Sequence, residues 1–376
     1  MNLRIFALLL TATANAAQAS LPAAAPRADR YLGADLSYVN EMEDCGAVYR
    51  LHGKPIDPFA LMKKAGGNIV RVRIWVNANW TKYSNYADVL KTIRRTHVAG
   101  MQALLDFHYS DDWADGGKQI APAAWAGLTT DEQVKALHDY TLDTLRRLDA
   151  DHAMPEMVQV GNETNPELLG GHEGQPINWA RNARLLNAGI EAVQEAGRTG
   201  SILPRIMLHI AQPENILPWF DAATKAGVHG YDIIGMSYYS KWSKWNLSQL
   251  KDTITEAKRR YGKDVIVVET GYPFTLQGAD TATNLLGNDA LIPGYPATPE
   301  GQHRYMVDLT QLTLDAGGIG VVYWEPYWIS TRCGTRWGHG SDWENATWFD
   351  YPTHEALPVF EWLRHKYRRS NPHTRN

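Results

Sequence analysis

Cysteine, long apolar runs and an excess of charge of one sign are all scarce in this 376-residue sequence. Its two cysteines can form at most one bridge, which excludes a disulfide framework and a closed zinc site made of cysteines. The net charge of −4 argues against a general nucleic-acid binder and against a polybasic protein of the membrane surface. Beyond the N-terminus, no run approaches the roughly 18 apolar residues of a membrane helix. We therefore expect neither nucleic acid nor a membrane as a partner.

Tryptophan and tyrosine, in contrast, are abundant, with 14 and 18 residues against 7 phenylalanines. Both side chains combine a flat apolar face with a polar group. Such a surplus suits a surface that stacks planar or sugar ligands, and composition alone allows a tryptophan-rich core equally well.

The N-terminus has the pattern of an export signal. Arg4 precedes an apolar stretch from Ile5 to Ala17, which ends in the small-residue cleavage pattern Ala17-Gln18-Ala19. We expect residues 1–19 to be a cleaved signal peptide and the mature protein to be secreted, either periplasmic or extracellular. Residues 20–30 are expected to form a Pro/Ala-rich leader with little structure, residues 31–368 a single domain, and residues 369–376 a polar tail.

Eight short apolar segments alternate with helix-forming segments along the rest of the chain. Each has strand length and is rich in β-branched or aromatic residues. They are 31–38, 68–76, 102–109, 156–163, 205–212, 232–239, 264–270 and 318–325. Such alternation gives parallel strands joined by crossover helices. We predict an α/β fold, a single-domain (β/α)8 barrel of the TIM type; an open doubly wound sheet is the alternative.

Three helices have recognisable ends. Segment 179–197 carries apolar residues at helical spacing and should stop at Gly197. A second helix should start at Thr130, with Gln133 completing a capping box. The pair Thr298-Pro299 should open a third, with threonine as the N-cap and proline in the first turn.

Polar residues stand at the carboxyl ends of the predicted strands, where barrels of this kind have their active sites. Glu163 and Glu269 end the fourth and seventh strands, each after a strongly apolar run. These strands lie across the barrel from each other, so the two carboxylates can face each other over a small gap. A lone glutamate at a strand end is more often a salt-bridge partner, here of Arg73 or Lys241. An opposed pair is what glycoside cleavage needs, because one carboxyl donates a proton and the other attacks the anomeric carbon.

An ordered set of motifs resembles one family. In chain order they are Gly33-Ala34-Asp35-Leu36-Ser37, Arg71-Val72-Arg73-Ile74-Trp75-Val76, Asp106-Phe107-His108-Tyr109-Ser110-Asp111, Trp113-Ala114-Asp115, Val160-Gly161-Asn162-Glu163, Val267-Val268-Glu269-Thr270-Gly271-Tyr272-Pro273, Pro299-Glu300-Gly301-Gln302 and Tyr323-Trp324-Glu325-Pro326. They are similar to glycoside hydrolase family 53, the endo-β-1,4-galactanases of clan A, over about residues 31–365. The resemblance implies a retaining endo-hydrolase of β-1,4-galactan in the arabinogalactan side chains of pectin. A clan relative acting on another β-glycan such as mannan, and a non-catalytic glycan-binding barrel, remain the alternatives.

The same resemblance implies roles for single residues. Glu163 resembles the general acid/base and Glu269 the nucleophile. Asn162 would hydrogen-bond the sugar 2-hydroxyl, Tyr238 would hold Glu269, and His209 would tune Glu163.

Further residues of the resemblance concern charge and sugar contacts. Arg73 would keep Glu269 ionised, with Arg71 as the alternative because both share one face of their strand. His108 and Trp324 would line the subsite of the sugar that is attacked. Several tryptophans at strand ends or in the following loops are candidate sugar platforms: Trp75, Trp80, Trp113, Trp242, Trp245, Trp328 and Trp343.

A departure from the family pattern concerns calcium. Some family members bind this ion through a D-x-D-x-H-x-N run after the seventh strand. The comparable segment here, Asp280-Thr281-Ala282-Thr283-Asn284, lacks two of those ligand types. Since calcium takes about six or more oxygen ligands, we expect no metal cofactor, with calcium held near Asn288 and Asp289 as the alternative.

The two cysteines lie after the first and eighth strands, at Cys45 and Cys333. A closed barrel makes these strands neighbours, and both loops leave the same face, so we expect the two cysteines to be bridged. We expect the protein to act on its polysaccharide substrate as a monomer.

Overall fold

The computed structural model describes residues 22–335 and 338–368. Eight parallel strands close into a barrel in which each strand pairs with its neighbours in chain order, and the eighth pairs with the first. The strands are β1 Tyr31–Asp35, β2 Ile69–Ile74, β3 Gln102–Phe107, β4 Met157–Val160, β5 Arg205–Ala211, β6 Ile233–Tyr238, β7 Asp264–Thr270 and β8 Gly320–Tyr323. The predicted single-domain (β/α)8 barrel is confirmed, and the eight apolar segments each supply one strand.

The described part of the chain has eight α-helices, and the first two both lie between β1 and β2. They are α1 Val39–Asp44, α2 Pro58–Ala65, α3 Tyr86–Val98, α4 Thr130–Ala150, α5 Trp179–Thr199, α6 Pro213–Lys225, α7 Leu247–Tyr261 and α8 Pro299–Asp315. Short 3₁₀ turns occur at Asn288–Ala290, Glu344–Ala346 and Pro358–Arg364. Two-residue strand pairs join Arg50–Leu51 to Lys54–Pro55 and Gly334–Thr335 to Gly338–His339.

The helix ends agree with the sequence only in part. Thr298 is the N-cap of α8, as predicted, and its side chain accepts a hydrogen bond from the backbone of Gly301. The capping box of α4 lies one residue earlier than predicted, on Thr129 and Glu132. Helix α5 continues past Gly197 to Thr199, since a glycine inside a helix is tolerated when packing holds the helix.

The leader has more structure than expected. Ala23–Ala24 pairs in parallel with Ile202–Leu203, and the carbonyl of Pro26 accepts a hydrogen bond of 2.9 Å from the side chain of Gln102. The expectation of little structure is therefore wrong for residues 23–26, which dock on the barrel. The predicted signal peptide, residues 1–19, and the predicted polar tail, residues 369–376, lie outside the described residues.

The barrel is filled by apolar side chains at its lower end and by polar ones near its mouth. The apolar layer consists of Tyr31, Ile69, Leu104, Met157, Met207, Ile233, Ile266, Val268 and Val322. Outward-facing side chains of the same strands pack against the helices in the larger core cluster. Side chains alternate between these two environments along each strand, so the next inward-facing residues toward the mouth form the walls of a site.

An irregularity in β7 changes this alternation. Val267 pairs with Met236 and Glu269 pairs with Ser237, which leaves Val268 as an extra residue on β7. Val268 belongs to the interior layer, and Glu269, the next residue, also faces the interior. A bulge of this kind re-aims a side chain at a barrel rim, and here it turns a carboxylate into the barrel mouth.

The loops after β1 and β8 are joined covalently. Cys45 and Cys333 form a disulfide with their Cα atoms 5.6 Å apart, although they are 288 positions apart in the sequence. None of the helices in the described part of the chain is long and apolar enough to cross a membrane.

Candidate active site

A cleft of about 780 Å³ opens at the carboxyl ends of the strands. Most of the predicted site residues line it: Arg71, Arg73, His108, Trp113, Asn162, Glu163, Glu269 and Trp324. His209 lies beneath the cleft, fully buried. Tyr238 faces the other way and belongs to the core between barrel and helices.

Glu163 follows β4 and has a φ of 42°, in the left-handed region that residues with side chains rarely adopt. Its Oε2 accepts a hydrogen bond of 3.0 Å from the backbone N–H of Gly116, and its Oε1 accepts one from the Ser237 hydroxyl. Burial raises the pKa of the Glu163 carboxyl, while these two hydrogen bonds act in the opposite direction. A carboxyl with a raised pKa can keep a proton for donation.

Ser237 connects Glu163 to His209. His209 Nδ1 lies 3.1 Å both from the donor Nε2 of Gln159 and from the acceptor Oδ1 of Asn162, so the tautomer has to be read from the contact of the other ring nitrogen. Burial holds the pKa of His209 well below its usual range, which keeps the ring neutral. The Ser237 hydroxyl has one proton and donates it to Glu163, so the single ring proton is on His209 Nε2, which donates to Ser237 Oγ over 2.9 Å. The predicted influence of His209 on Glu163 thus runs through a serine that the sequence analysis missed.

Glu269, at the end of β7, contacts Arg71 and Tyr239. Arg71 Nη1 lies 2.7 Å from Oε1, and the Tyr239 hydroxyl donates to Oε2 over 3.3 Å. Burial raises the pKa of Glu269 to about 8; Arg71 acts in the opposite direction, and the nearby carboxylate of Glu163 adds to the rise.

The predicted tyrosine partner of Glu269 is therefore wrong, and of the two arginines considered for Glu269 the alternative, Arg71, is the one in contact. The tyrosine is Tyr239 and not Tyr238, because inward-facing residues of β6 fall at every second position and Ser237 already faces inward. The arginine is Arg71 and not Arg73, whose guanidinium contacts Glu325 at 2.7 Å. Counting alternate residues from Ser237 would have found Tyr239 in the sequence.

Arg71 is the centre of a buried network and is 1% exposed. Its guanidinium contacts Asp35 at 3.0 Å and Asp106 at 2.7 Å, in addition to Glu269. It also donates to Asn162 Oδ1 over 2.7 Å. The amide of Asn162 donates to the carbonyl of Ala114, so its orientation is fixed from both ends. One cation shared among three carboxylates leaves this region with an excess of negative charge.

Comparisons with known proteins agree with this geometry. The profile of glycosyl hydrolase family 53 matches residues 31–363. The chain belongs to this family. An arabinogalactan endo-β-1,4-galactanase of Cellvibrio japonicus is 54% identical over 346 residues, which cover 90% of this chain and 92% of that protein. An endo-β-1,4-galactanase of Bacillus subtilis is 34% identical over 344 residues, 86% of this chain and 78% of that protein.

Solved structures agree with the family assignment. The family 53 catalytic domain of Ignisphaera aggregans superposes with a TM-score of 0.83 at 29% identity, covering 92% of this chain and 99% of that domain. A fungal β-1,4-galactanase superposes with a TM-score of 0.76 at 28% identity, over 89% of this chain and 99% of the other.

In this family 53 hydrolase, aromatic side chains gather on one side of the cleft. Trp324 lies at its centre, with ring centroids 4.6 Å from Trp343 and 6.0 Å from both Trp113 and Trp328. The guanidinium of Arg73 lies 4.6 Å from the Trp113 ring and so packs against this aromatic wall. Of the candidate sugar platforms, four line the cleft: Trp113, Trp242, Trp328 and Trp343. Trp75, Trp80 and Trp245 do not line it.

The segment comparable to the calcium run of other family members joins two loops. Asp280 accepts hydrogen bonds of 2.8 Å from the backbone N–H groups of Ala282 and Ser341. Asn284 accepts one of 3.3 Å from the N–H of Asn345. Among the described residues, no group of three or more histidine, cysteine, aspartate or glutamate side chains is arranged to hold a metal ion.

Proposed function

We propose that this family 53 hydrolase is a secreted, retaining endo-β-1,4-galactanase that cleaves galactan chains of the arabinogalactan type. The observation that carries the proposal is the placement of Glu163 and Glu269 in one cleft with different surroundings. The names of relatives that align over most of their length support the substrate, since they are described as arabinogalactan endo-β-1,4-galactanase and endo-β-1,4-galactanase.

The different surroundings of Glu163 and Glu269 suit the two different roles of proton donor and nucleophile. Arg71 and Tyr239 contact Glu269, which suits a carboxylate that must be ionised to attack. In the described part of the chain, no lysine or arginine forms an ion pair with Glu163, and its raised pKa suits a proton donor. Since burial raises the pKa of both carboxyls, the pair retains a proton at neutral pH; Glu269 holds it in the free protein up to about pH 8, and Glu163 must hold it when Glu269 attacks.

The reaction proceeds by double displacement. Glu269 attacks the anomeric carbon while Glu163 gives its proton to the glycosidic oxygen, so the bond to the leaving sugar breaks and a glycosyl ester of Glu269 forms. Glu163, now ionised, takes a proton from water, and the resulting attack on the anomeric carbon releases Glu269. Two inversions give net retention. Trp324 and His108 line the cleft where the attacked sugar must lie.

An assay with a panel of polysaccharides tests this function. Reducing ends should appear rapidly with β-1,4-galactan and slowly or not at all with mannan, xylan and β-glucan. Proton NMR during the first turnovers should show the β-anomer of the product. Cleavage of mannan in preference to galactan would assign another substrate, an α-anomer would contradict retention, and inactivity on the whole panel would favour a non-catalytic glycan-binding barrel.

Secretion and metal independence are parts of the same proposal. The pattern at residues 1–19 supports export, and N-terminal sequencing of protein recovered outside the cytoplasm should begin at Ser20. The reacting groups are carboxyls, which need no metal for this chemistry. Activity should therefore survive dialysis against EDTA, and a loss that calcium restores would contradict this part.

A further inference from the structure

One buried amide at the edge of the cleft is fixed in place but has an unused donor. Gln212 follows β5, lines the cleft and is 7% exposed. Its Oε1 accepts a hydrogen bond of 3.3 Å from the backbone N–H of Tyr239. Its Nε2 has no hydrogen-bond partner within residues 22–335 and 338–368. The contact at Oε1 orients the amide, so its two N–H groups are available to a molecule bound in the cleft.

The backbone of Gln212 is strained. It has φ 63° and ψ 136°, which a residue with a Cβ atom adopts only at a cost. The conformation is held by a hydrogen bond of 3.1 Å from its N–H to the carbonyl of Ser237, and Pro213 follows directly. Glycine would fit this position with less strain. Strained residues with a side chain are concentrated at functional sites. We therefore expect the Gln212 side chain to have a function in the cleft.

Gln212 lies on the same side of the cleft as the Glu163 carboxyl. Ser237, whose carbonyl accepts from Gln212, donates its hydroxyl to Glu163. The residue before Gln212, Ala211, borders Gly116, where an added Cβ would lie 3.1 Å from Ala211 Cβ and 3.5 Å from Glu163 Oε2. Gly116, Ala211 and the Glu163 carboxyl are thus packed closely together, and Gln212, the residue after Ala211, lines the same cleft as Glu163.

Neighbouring amides on this side of the cleft are already engaged. Asn165 donates to the carbonyl of Ala211 over 3.0 Å and accepts from its N–H over 2.7 Å. Asn215 also donates to the Ala211 carbonyl, over 2.9 Å. These two amides shape the backbone after β5, and the amide of Gln212 is left to bind a ligand.

We propose that Gln212 binds the leaving-group sugar by donating an Nε2 hydrogen bond to one of its oxygen atoms. The inference rests on the proposed function, because Glu163 gives its proton to the oxygen that departs with that sugar. The sugar must then lie beside Glu163, in the cleft that Gln212 also lines. Gln212 is a specificity residue for the aglycone and takes no part in proton transfer.

Two substrates that differ in the leaving group test this role. Galactan and galacto-oligosaccharides release a sugar, whereas an aryl β-galactobioside releases a phenol that cannot make the same contact. Gln212→Ala should lower kcat/KM on galacto-oligosaccharides by about three- to tenfold, the worth of one neutral hydrogen bond. On the aryl substrate its kcat/KM should stay within about twofold of wild type. The glycosyl-enzyme of the variant should also pass to an added galactobiose acceptor less often than that of wild type.

Gln212→Gly is the matched control for folding. It removes the same side chain and relieves the left-handed strain, so its melting temperature should be no lower than that of Gln212→Ala. It should show the same selective loss on the oligosaccharides. Equal losses on both substrates, or no loss on either, would overturn the role of Gln212. If wild type prefers another glycan, the galactanase proposal fails, and the same comparison with oligosaccharides and aryl glycosides of that glycan decides the role of Gln212.

Discussion

Arg71 Nη1 lies 2.7 Å from Glu269 Oε1, while Arg73, two residues further along β2, contacts Glu325 at the same distance. Both guanidinium groups face the barrel interior because side chains alternate along a strand. Arg71 faces the cluster of Asp35, Asp106 and Glu269, and Arg73 lies among aromatic rings. The two arginines therefore serve different carboxylates, and exchanging each for lysine should have different effects.

Arg71→Lys should move the acid limb of the kcat/KM profile to higher pH by about one unit. The arginine favours the ionised form of Glu269, so a less well-placed charge lets the pKa of Glu269 rise, and the attacking carboxylate then forms only at higher pH. Arg73→Lys should leave this limb near its wild-type position, because Arg73 contacts Glu325. Measurement of kcat/KM across pH for both variants tests this prediction. Equal shifts of the acid limb in the two variants would contradict the assignment of Arg71 to Glu269 and of Arg73 to Glu325.

The two glutamates should differ in their dependence on the leaving group. Glu163→Ala should lose about 10²–10⁴-fold in kcat on galactan, where the leaving oxygen needs a proton. It should lose much less on an aryl galactoside with an activated phenol, and azide should restore turnover and give a β-galactosyl azide detectable by NMR. Glu269→Ala should be inactive on both substrates. Near-normal turnover by Glu269→Ala would refute its role as the nucleophile.

Ser237→Ala should raise the pKa of Glu163, because the serine hydroxyl donates to the carboxyl and favours its ionised form. A hydrogen bond to a charged group is worth about 1.5–3 kcal/mol, so the basic limb of the pH profile should move up by about 1–2 units. Ser240→Ala is the control, since that hydroxyl donates to the carbonyl of Ala290 and does not contact Glu163. An unchanged basic limb in Ser237→Ala would show that the contact does not tune Glu163.

Glu269 should make the protein less stable as pH rises. Its pKa is raised from 4.5 to about 8 in the folded protein, so the folded state holds the proton more tightly than the unfolded chain does. The stability that this provides is complete below about pH 4.5 and is lost as pH rises toward 8, at up to about 1.4 kcal/mol per pH unit. The glutamine in Glu269→Gln cannot ionise. The free energy of unfolding of this variant, measured in urea, should therefore exceed that of wild type by an amount that grows between pH 5 and pH 8.

Glu256→Gln provides the control for that experiment. Glu256 is an exposed helix residue whose pKa is lowered to about 2 by hydrogen bonds from Arg259 and Arg260, so it is ionised throughout this pH range. The difference in free energy of unfolding between Glu256→Gln and wild type should therefore stay constant from pH 5 to pH 8. If the difference in free energy of unfolding between Glu269→Gln and wild type were also constant from pH 5 to pH 8, Glu269 would have its ordinary pKa in the folded protein.

The sequence by itself determined the barrel and its two central carboxyls. Strands of a parallel barrel are buried on both faces, so they read as apolar runs, and a glutamate directly after such a run is conspicuous. Closure in chain order then placed Glu163 and Glu269 in one cleft and Cys45 beside Cys333. These conclusions need only the order of the strands and the identity of the residue at each strand end.

The tertiary structure decided which neighbours those carboxyls have. Side chains alternate with a period of two, so an error of one residue moves a predicted cleft residue into the core. Tyr238, the predicted partner of Glu269, lies in the core, and its neighbour Tyr239 makes the contact. The extra residue Val268 in β7, which turns Glu269 inward, depends on pairing with β6 and has no signature in β7 alone. The choice between Arg71 and Arg73 depends on distances across the barrel, and these are set by packing between strands far apart in the chain.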